Sequence, residues 1–210
     1  MANHNPGYIT GSTVSRLMST DKKELPAGAL TFCMEIARER CKLCEIEQAF
    51  DGNESTEWGN FYEDEAITRY IEFMEAKTGI LHFVSDKQTP KVNGWLSCSV
   101  DGITNGEIVI DAKCPKNQNY HHLRMSEDGC RKWLKENEDQ LQFNMMMWGL
   151  SHAHLISYDP RWAQSHQVIV ATTKISQQWL DKFNSRYELA EKQIQLDIER
   201  ILEAKLIHTF

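Results

Sequence analysis

Polar and apolar residues alternate along much of residues 97–113, which is the pattern of two β-strands joined by a turn. The turn is marked by Asn105-Gly106, a pair typical of tight hairpins. One side of the alternation is polar and carries Ser97, Ser99, Asp101, Glu107, Asp111 and Lys113. The other side is apolar and carries Cys98, Val100, Ile108, Ile110 and Ala112, with Val109 as the one misfit.

The two apolar sides of this hairpin are buried together only if the numbers of paired residues add up to an even number. A three-residue loop over residues 104–106, with Gly106 left-handed, meets this condition and pairs Ile103 with Glu107. A two-residue loop would put the apolar side of one strand on the same face of the hairpin as the polar side of the other. The favoured register predicts three further pairs: Asp101 with Val109, Ser99 with Asp111, and Ser97 with Lys113. Two carboxylates and a lysine then share one face.

The rest of the chain switches between helical and strand patterns. Apolar residues recur at helical spacing, or follow a helix-start signal, in five segments: 8–20, 29–50, 55–77, 131–150 and 176–204. Strands are predicted at 80–84, 152–158 and 167–172. Thr10 or Ser12 is expected to cap the first helix. This order predicts an α/β fold with a mixed central β-sheet flanked by helices, in a single domain over residues 1–210.

Composition and charge narrow the possible classes of protein. The formal net charge of −7 argues against a protein coated in nucleic acid, although a channel needs only a local basic lining. No apolar run reaches the roughly 20 residues of a membrane span, and the first residues are polar, so we expect a cytoplasmic protein that does not enter a membrane. Free thiols are then expected, and Cys41-Lys-Leu-Cys44 has no second close pair to complete a metal cluster.

The polar face of the hairpin is a candidate metal site. Asp101 and Asp111 lie diagonally across the two strands, within reach of one divalent cation, and carboxylate oxygens suit Mg²⁺ or Mn²⁺. Lys113 points at the same place, where it can orient or activate a water. A solvated face with a salt bridge is the plainer alternative. Glu63, which follows a run of large aromatic residues, is the candidate for a third carboxylate.

Two other polar pairs are candidates for a chemical role. Gln140 and Asn144 share a helix face at i, i+4 and can hydrogen-bond a metal-bound water or a phosphate, with simple exposure to solvent as the alternative. His152 and His154 share a strand face in the manner of a zinc pair, but the neighbouring sequence supplies no third ligand.

Together these residues resemble a known enzyme superfamily. Glu63 on a helix, Asp101, Asp111-x-Lys113 on a hairpin and Gln140 on a later helix resemble the PD-(D/E)XK nucleases. Longer motifs between residues 7 and 162 are similar to its lambda-type phage exonuclease branch (YqaJ-like viral recombinases): Ile9-Thr10-x-Ser12, Trp58-Gly59-x-x-Tyr62-Glu63, Cys98-Ser99-x-Asp101-Gly102, Lys113-Cys114-Pro115, Gln140-x-Gln142 and Tyr158-Asp159-Pro160-Arg161.

The resemblance implies a restriction-endonuclease-like core and an activity. It implies a 5′→3′ exonuclease, dependent on Mg²⁺ or Mn²⁺, that degrades one strand of linear double-stranded DNA and leaves 3′ single-stranded tails for recombination by strand annealing. It also implies a ring-shaped homotrimer that binds DNA ends, and a single-strand annealing recombinase as partner. The implied location is the cytoplasm of a bacterial or phage-infected cell.

The resemblance also assigns roles to single residues. Asp101, Asp111 and the carbonyl of Ala112 are implied to bind the metal. Lys113 is implied to activate the attacking water, Glu63 to support the metal–water shell, and Gln140 to position the water or the substrate. The terminal phosphate of the DNA is implied to lie at Thr10, Ser12 and Ser99.

Two positions depart from the family pattern. Asp111 stands where this branch often has Glu, and Asn5 aligns near the arginine that contacts the 5′-phosphate. Arg16, or a basic residue within 116–124, is the hypothetical replacement for that arginine. A PD-(D/E)XK endonuclease of restriction or repair type, and a non-catalytic DNA-binding scaffold, remain as alternatives.

Overall fold

The computed structural model describes residues 6–19, 24–42 and 54–204. They form two compact units. The described residues of the first unit are 54–91 and 98–176, and those of the second are 6–19, 24–42, 92–97 and 177–204. The single nuclease domain expected over residues 1–210 stays a prediction. No helix in the described part of the chain is long and apolar enough to cross a membrane.

Eight strands and seven α-helices are described along the chain. The strands are β1 (Ile9–Thr10), β2 (Val84–Ser85), β3 (Lys91–Asn93), β4 (Leu96–Cys98), β5 (Gly102–Thr104), β6 (Ile108–Lys113), β7 (His152–Tyr158) and β8 (Val168–Lys174). The helices are α1 (Ser15–Met18), α2 (Ala27–Cys41), α3 (Glu54–Thr78), α4 (Gln118–Arg124), α5 (Glu127–Glu136), α6 (Glu138–Trp148) and α7 (Gln177–Leu202). This order confirms the α/β class.

Three predicted elements differ from those observed. Helix α1 begins at Ser15 without a side-chain cap, because the hydroxyls of Thr10 and Thr13 instead hold a turn ahead of it, with the Thr10 N–H donating to Thr13 Oγ1 at 2.9 Å. The strand expected at 80–84 shrinks to β2, since most of its apolar side chains face solvent. The helix expected at 131–150 is two helices, which meet at the non-helical backbone of Asn137.

Helix α2 was expected to run on to Phe50. Its described part ends at Cys41, with Lys42 left-handed at the C-cap, and the predicted continuation through residues 43–50 lies outside the described residues. Cys44 of the Cys41–Cys44 pair lies outside them as well.

The second unit contains a three-stranded sheet and a pair of packed helices. The sheet has the order β1-β4-β3, with β1 and β4 parallel. Helices α2 and α7 pack together, and α7 buries Trp179, Phe183, Ala190 and Ile194 along one side. This confirms the packing stripe that the spacing of apolar residues predicts in the C-terminal helix.

The first unit is built on a mixed five-stranded sheet of order β2-β5-β6-β7-β8, in which β6 and β7 are parallel and the other pairs antiparallel. Strand β6 is central, and helices cover it on both faces. Ile110 packs against Ile67 and Tyr70 of α3 on one face, while Gln140 of α6 reaches Asp111 on the other. Central strands covered on both faces lose strict alternation.

This central position explains the misfit residue of the sequence pattern. Val109 is fully buried on the same face as Asp111, so the supposed polar face of the hairpin is not a solvated surface. Asp111 itself is 3% exposed. The plainer alternative of an exposed polar hairpin is therefore excluded for Asp111.

The hairpin register has the predicted parity but a different offset. Ile103 pairs with Val109 and Gly102 with Ile110, so paired numbers add up to an even number, as expected. The predicted pairing of Ile103 with Glu107 is wrong by two residues. Asn105 and Gly106 are both left-handed (φ 52° and 73°), which closes a turn before Glu107 and leaves that residue outside the ladder.

The predicted pairs at the open end of the hairpin are also wrong. Ser97 belongs to β4 and pairs with Thr10 of β1, and Lys113 pairs with Ser157 of β7. Because the Gly102–Ile110 pair is the last one observed, one further step brings Asp101 level with Asp111. The two carboxylates are therefore closer in register than the sequence predicts.

The segment that follows β6 is held in place by Arg161. Its guanidinium donates to the carbonyls of Lys116 (2.9 Å) and Pro115 (3.1 Å) and forms two bonds to Asp159, of 2.7 and 2.8 Å. The guanidinium carbon also lies 4.6 Å from the centre of the Trp58 ring. Asp159 is fully buried. One arginine thus ties together the end of β6, the end of β7 and helix α3.

A buried polar pair lies at the other end of the sheet. The hydroxyl of Tyr70 and Nδ1 of His154 are 2.8 Å apart. Burial, together with the neighbouring charges of His152 and His82, lowers the pKa of His154 to about 4. His154 therefore acts as a neutral core residue. Among the described residues no group of three or more His, Cys, Asp or Glu side chains is arranged to hold a metal ion, so the zinc pair is not completed.

We expect Arg161→Ala to cost about 3 kcal/mol of the free energy of unfolding, because it leaves the buried carboxylate of Asp159 without its partner. Arg131→Ala is the matched control, since Arg131 is an exposed arginine paired with Glu127 within one helix, and it should change stability by at most about 0.5 kcal/mol. Urea unfolding measures both. Equal losses in the two variants would contradict the role given to Arg161.

We expect His154 to make the protein less stable in mild acid. Its folded pKa lies below the ordinary value of about 6.5, so its contribution is complete above that pH and is lost as the pH falls towards 4. Between pH 7 and pH 5 the wild-type protein should lose about 2 kcal/mol more unfolding free energy than His154→Gln. Urea titrations at the two pH values test this, and parallel losses in both proteins would refute it.

Candidate functional site

Three side chains on the α6 face of the sheet form a closed set of contacts. Asp111 Oδ2 accepts a hydrogen bond from Gln140 Nε2 at 2.6 Å, and Lys113 Nζ lies 2.7 Å from Asp111 Oδ1. Lys113 Nζ also donates to Gln140 Oε1 at 3.4 Å. Residues two apart on one strand point to the same face, which brings Asp111 and Lys113 together under α6. Gln140 thereby forms hydrogen bonds with both partners of the Asp111–Lys113 ion pair.

Asp101 lies beside this set. Its Oδ2 accepts a hydrogen bond from the backbone N–H of Ala112 at 2.7 Å. Burial, and then the charges of Asp111 and Glu63, raise the pKa of Asp101 well above its ordinary value. A carboxyl whose pKa rises for these reasons is held where negative charge is already concentrated. Such a place favours a bound cation.

Glu63 reaches the site from helix α3. It is half-buried, and its Oε1 accepts a hydrogen bond from Gln88 Nε2 at 2.6 Å. Its charge is among the causes that raise the pKa values of Asp101 and Lys113, which places it near both. The structure therefore brings Glu63, Asp101, Asp111, Lys113 and Gln140 into one neighbourhood.

The charge state of Lys113 follows from its neighbours. Burial by itself lowers the pKa of the ammonium, but the charge and hydrogen bond of Asp111, and the charges of Asp101 and Glu63, outweigh burial and raise it. Lys113 is thus protonated at neutral pH. A cation that neutralised those carboxylates would weaken the hold on this proton.

The carboxylates fit a hard divalent cation in part. Asp111 Oδ1 is buried and faces the ammonium of Lys113 at 2.7 Å. Carboxylate oxygens of this kind are ligands that suit Mg²⁺ or Mn²⁺. The described residues hold no set of three acidic, histidine or cysteine ligands in metal-binding arrangement. Mg²⁺ commonly completes its octahedron with waters and substrate phosphates, so two carboxylates suffice to start a site.

Of the three amides on α6, only Gln140 faces the carboxylates. Gln142 donates to the carbonyl of Lys174 at 2.8 Å and accepts from the N–H of Ser176 at 2.8 Å, so it fastens α6 to the end of β8. Asn144 accepts a hydrogen bond from the thiol of Cys98 at 3.2 Å.

The residues expected at the terminal phosphate fall in both units. Ser99, half-buried, lies two residues before Asp101 in the first unit. In the second unit the hydroxyls of Thr10 and Ser12 are 3.1 Å apart, and Arg16 makes a two-bond ion pair with Glu35, of 2.5 and 2.9 Å. Asn5 lies outside the described residues.

Some residues that shape the site were not found from the sequence. Gln88 holds Glu63 from a loop whose pattern predicts no structure. Asp159 and Arg161 belong to a sequence motif that assigns them no role, although an acidic and a basic residue on either side of a proline are compatible with a local ion pair. The sequence does not indicate which helix covers the buried face of β6, because that contact depends on the tertiary structure.

The fold is similar to those of solved exonucleases. An alkaline exonuclease, LHK-Exo from Laribacter hongkongensis, has a TM-score of 0.70 and 20% identity over 93% of this chain and 92% of that one. The same protein in complex with dAMP gives 0.69 and 20%, over 96% and 95%. A phage related exonuclease from Haemophilus somnus 129PT gives 0.74 and 17%, over 92% and 96%. These likenesses confirm the restriction-endonuclease-like core.

Sequence comparison gives the family. No curated protein sequence matches the chain. The model of the YqaJ-like viral recombinase domain, however, matches residues 2–151, which is more than half of the chain. This match agrees with the motifs found in the sequence and is consistent with a nuclease that acts on DNA. The chain belongs to the YqaJ-like viral recombinase domain family.

Proposed function

We propose that this protein is a 5′→3′ exonuclease that hydrolyses one strand of linear double-stranded DNA and leaves 3′ single-stranded tails. The observation that carries the proposal is the contact set of Asp111, Lys113 and Gln140 with Asp101 beside it. The family, and the solved exonucleases that share the fold, support a nuclease. A protein of that fold has been solved with dAMP, which supports a nucleotide as the ligand class.

The proposed cofactor is Mg²⁺, or Mn²⁺ in its place, held by Asp101, Asp111 and the carbonyl of Ala112. When bound, such an ion neutralises charge on the phosphate and lowers the pKa of a bound water. Asp111 is fixed for this task by Gln140, and Asp101 by the N–H of Ala112. Both carboxylates thus keep their position without having to be ordered by substrate.

Lys113 is proposed to handle the proton of the attacking water. Its ammonium lies between Asp111 and the carbonyl of the Gln140 amide, which aims it at the carboxylates. Glu63 supports the water shell from α3 and is oriented by Gln88. With the carboxylate charge neutralised, the pKa of Lys113 falls towards the range in which it can accept a proton.

Recombination by strand annealing is the proposed use of the product. The proposed partners are double-stranded DNA ends, a single-strand annealing recombinase and two further copies of this chain in a homotrimer. An acidic chain with net charge −7 requires that basic side chains line the DNA path while acidic ones face outwards. Ser99 in the first unit, and Thr10 and Ser12 in the second, are each proposed as residues that bind a terminal phosphate. For Arg16 to take part, its ion pair with Glu35 would have to open.

We expect Asp111→Asn and Lys113→Met each to lower the rate of DNA degradation by about a hundredfold or more, because they remove a metal ligand and the proton-handling group. Gln140→Leu should lower the rate of DNA degradation by about 10- to 100-fold, since Asp111 loses the hydrogen bond that positions it but stays present. Lys132→Met, an exposed lysine on α5, is the control. EDTA should abolish degradation and added Mg²⁺ restore it. Unchanged rates in the first two variants would overturn the assigned roles.

We expect degradation to start from the 5′ end of linear DNA. Duplexes labelled at one 5′ or one 3′ end, with or without a 5′-phosphate, should release label first from the 5′ terminus, while a covalently closed circle stays intact. Gel electrophoresis of timed samples measures this. Cleavage of the circle would favour an endonuclease, and release from the 3′ end would reverse the proposed polarity.

A further inference from the structure

Arg124 is a half-buried arginine at the end of α4. One of its guanidinium N–H groups donates to Ser157 Oγ at 2.9 Å, and its guanidinium carbon lies 4.3 Å from the centre of the Trp133 ring. Burial lowers the pKa of Arg124 to about 10, against a smaller opposing effect of the charge of Glu136. The described part of the chain therefore takes water away from this cation and places no counter-charge in contact with it.

The other arginines of the first unit differ from Arg124 in this respect. Each of the three forms an ion pair within the unit: Arg69 with Glu72, Arg131 with Glu127, and Arg161 with Asp159. No carboxylate among the described residues lies within ion-pair distance of Arg124. Desolvated charges are costly unless they are paired, so this guanidinium is suited to an anion that the described residues do not supply.

In the contact between Arg124 and Ser157, the guanidinium donates and the Ser157 hydroxyl oxygen accepts. His121 Nε2 lies 2.8 Å from the carbonyl of His166, and a carbonyl can only accept, so Nε2 carries the proton. Burial lowers the pKa of His121, so its Nδ1 is bare and accepts from the Ser157 hydroxyl at 2.9 Å. Ser157 Oγ is then left to accept from Arg124. This chain of bonds holds the guanidinium in one place.

That place is next to the candidate site. Ser157 is directly in register with Lys113 on the neighbouring parallel strand, and paired residues of parallel strands share a face. Neighbouring strands are about 4.8 Å apart. Arg124 therefore lies on the face that carries Asp111 and Lys113, one strand further along the sheet. The remaining guanidinium N–H groups have no hydrogen-bond acceptor among the described residues.

We propose that Arg124 binds a backbone phosphate of the DNA strand, adjacent to the phosphodiester that is hydrolysed. This inference rests on the proposed nuclease function. A guanidinium fork matches the geometry of a phosphodiester, and a partly desolvated cation gains more from an anion than a solvated one. Tyr120, one helical turn earlier on α4, is 57% exposed and offers an aromatic surface beside the same strand of DNA.

The test compares Arg124→Gln with Arg131→Gln, an arginine on the adjacent helix that is paired with Glu127. Affinity for linear duplex DNA is measured in EDTA at several NaCl concentrations, so that binding is separated from hydrolysis. Arg124→Gln should weaken binding and reduce the slope of log Kd against log salt by about 0.9, the amount expected for one lost phosphate contact. Arg131→Gln should match the wild-type slope.

Arg124→Lys separates charge from packing. It keeps the positive charge but loses the fork and part of the contact with Trp133, so it should recover the wild-type salt slope even if its thermal stability falls. Sodium phosphate at the ionic strength of the NaCl series should displace DNA better from the wild type than from Arg124→Gln, because both anions bind the same guanidinium. Equal displacement from the two proteins would overturn the proposal.

A wild-type slope in Arg124→Gln would also overturn it and leave Arg124 a structural residue. The proposed function is judged separately, by degradation of linear duplex by the wild-type protein with Mg²⁺. If the wild type degrades DNA and Arg124→Gln keeps the wild-type slope, only the inference fails. If the wild type neither binds nor degrades DNA, the proposed function fails and takes the inference with it.

Discussion

The repulsion between Asp101 and Asp111 is the constraint around which the first unit is arranged. Asp101 directly precedes β5 and Asp111 lies on the neighbouring β6, and two carboxylates this close to each other in the protein repel more strongly than they would in water. The fold counters this with one ammonium from Lys113, one amide from Gln140 and one backbone N–H from Ala112. The compensation is incomplete, because burial and the charge of Asp111 still raise the pKa of Asp101. A site with this deficit has stability to gain from a cation.

The sheet supplies the rigidity that such a site requires. Strand β6 is paired on both sides and covered on both faces, so neither of its polar side chains can relieve repulsion by moving the backbone. Arg161 adds a fixed point directly after the strand by binding the carbonyls of Pro115 and Lys116. Groups held this firmly cost little reorganisation when charge develops near them.

Much of this arrangement could be predicted from the sequence, and the exceptions have physical reasons. That paired residue numbers in the hairpin add up to an even number follows from the alternation alone, and this was predicted correctly. Which residues pair depends on the two consecutive left-handed residues Asn105 and Gly106, and the apolar pattern does not show this. Val109 did not fit the alternation because that pattern assumes that one face of the strand is exposed to solvent. Helices cover both faces of β6. The identity of the amide facing Asp111 was found by resemblance to a family. Helical spacing alone also allowed Asn144.

The parallel pairing of β6 with β7 has a consequence for how the site comes into being. Parallel strands need a long crossover, and here it contains all of α4, α5 and α6. Asp101, Asp111 and Lys113 all precede β7 in the sequence. Lys113 gains its strand neighbour only once β7 has docked, and only then can Arg161 bind the carbonyl of Pro115. Such distant contacts form late. During synthesis the acidic hairpin would therefore leave the ribosome before its strand neighbour has been made. The candidate site would stay unassembled until β7 had been made and had docked.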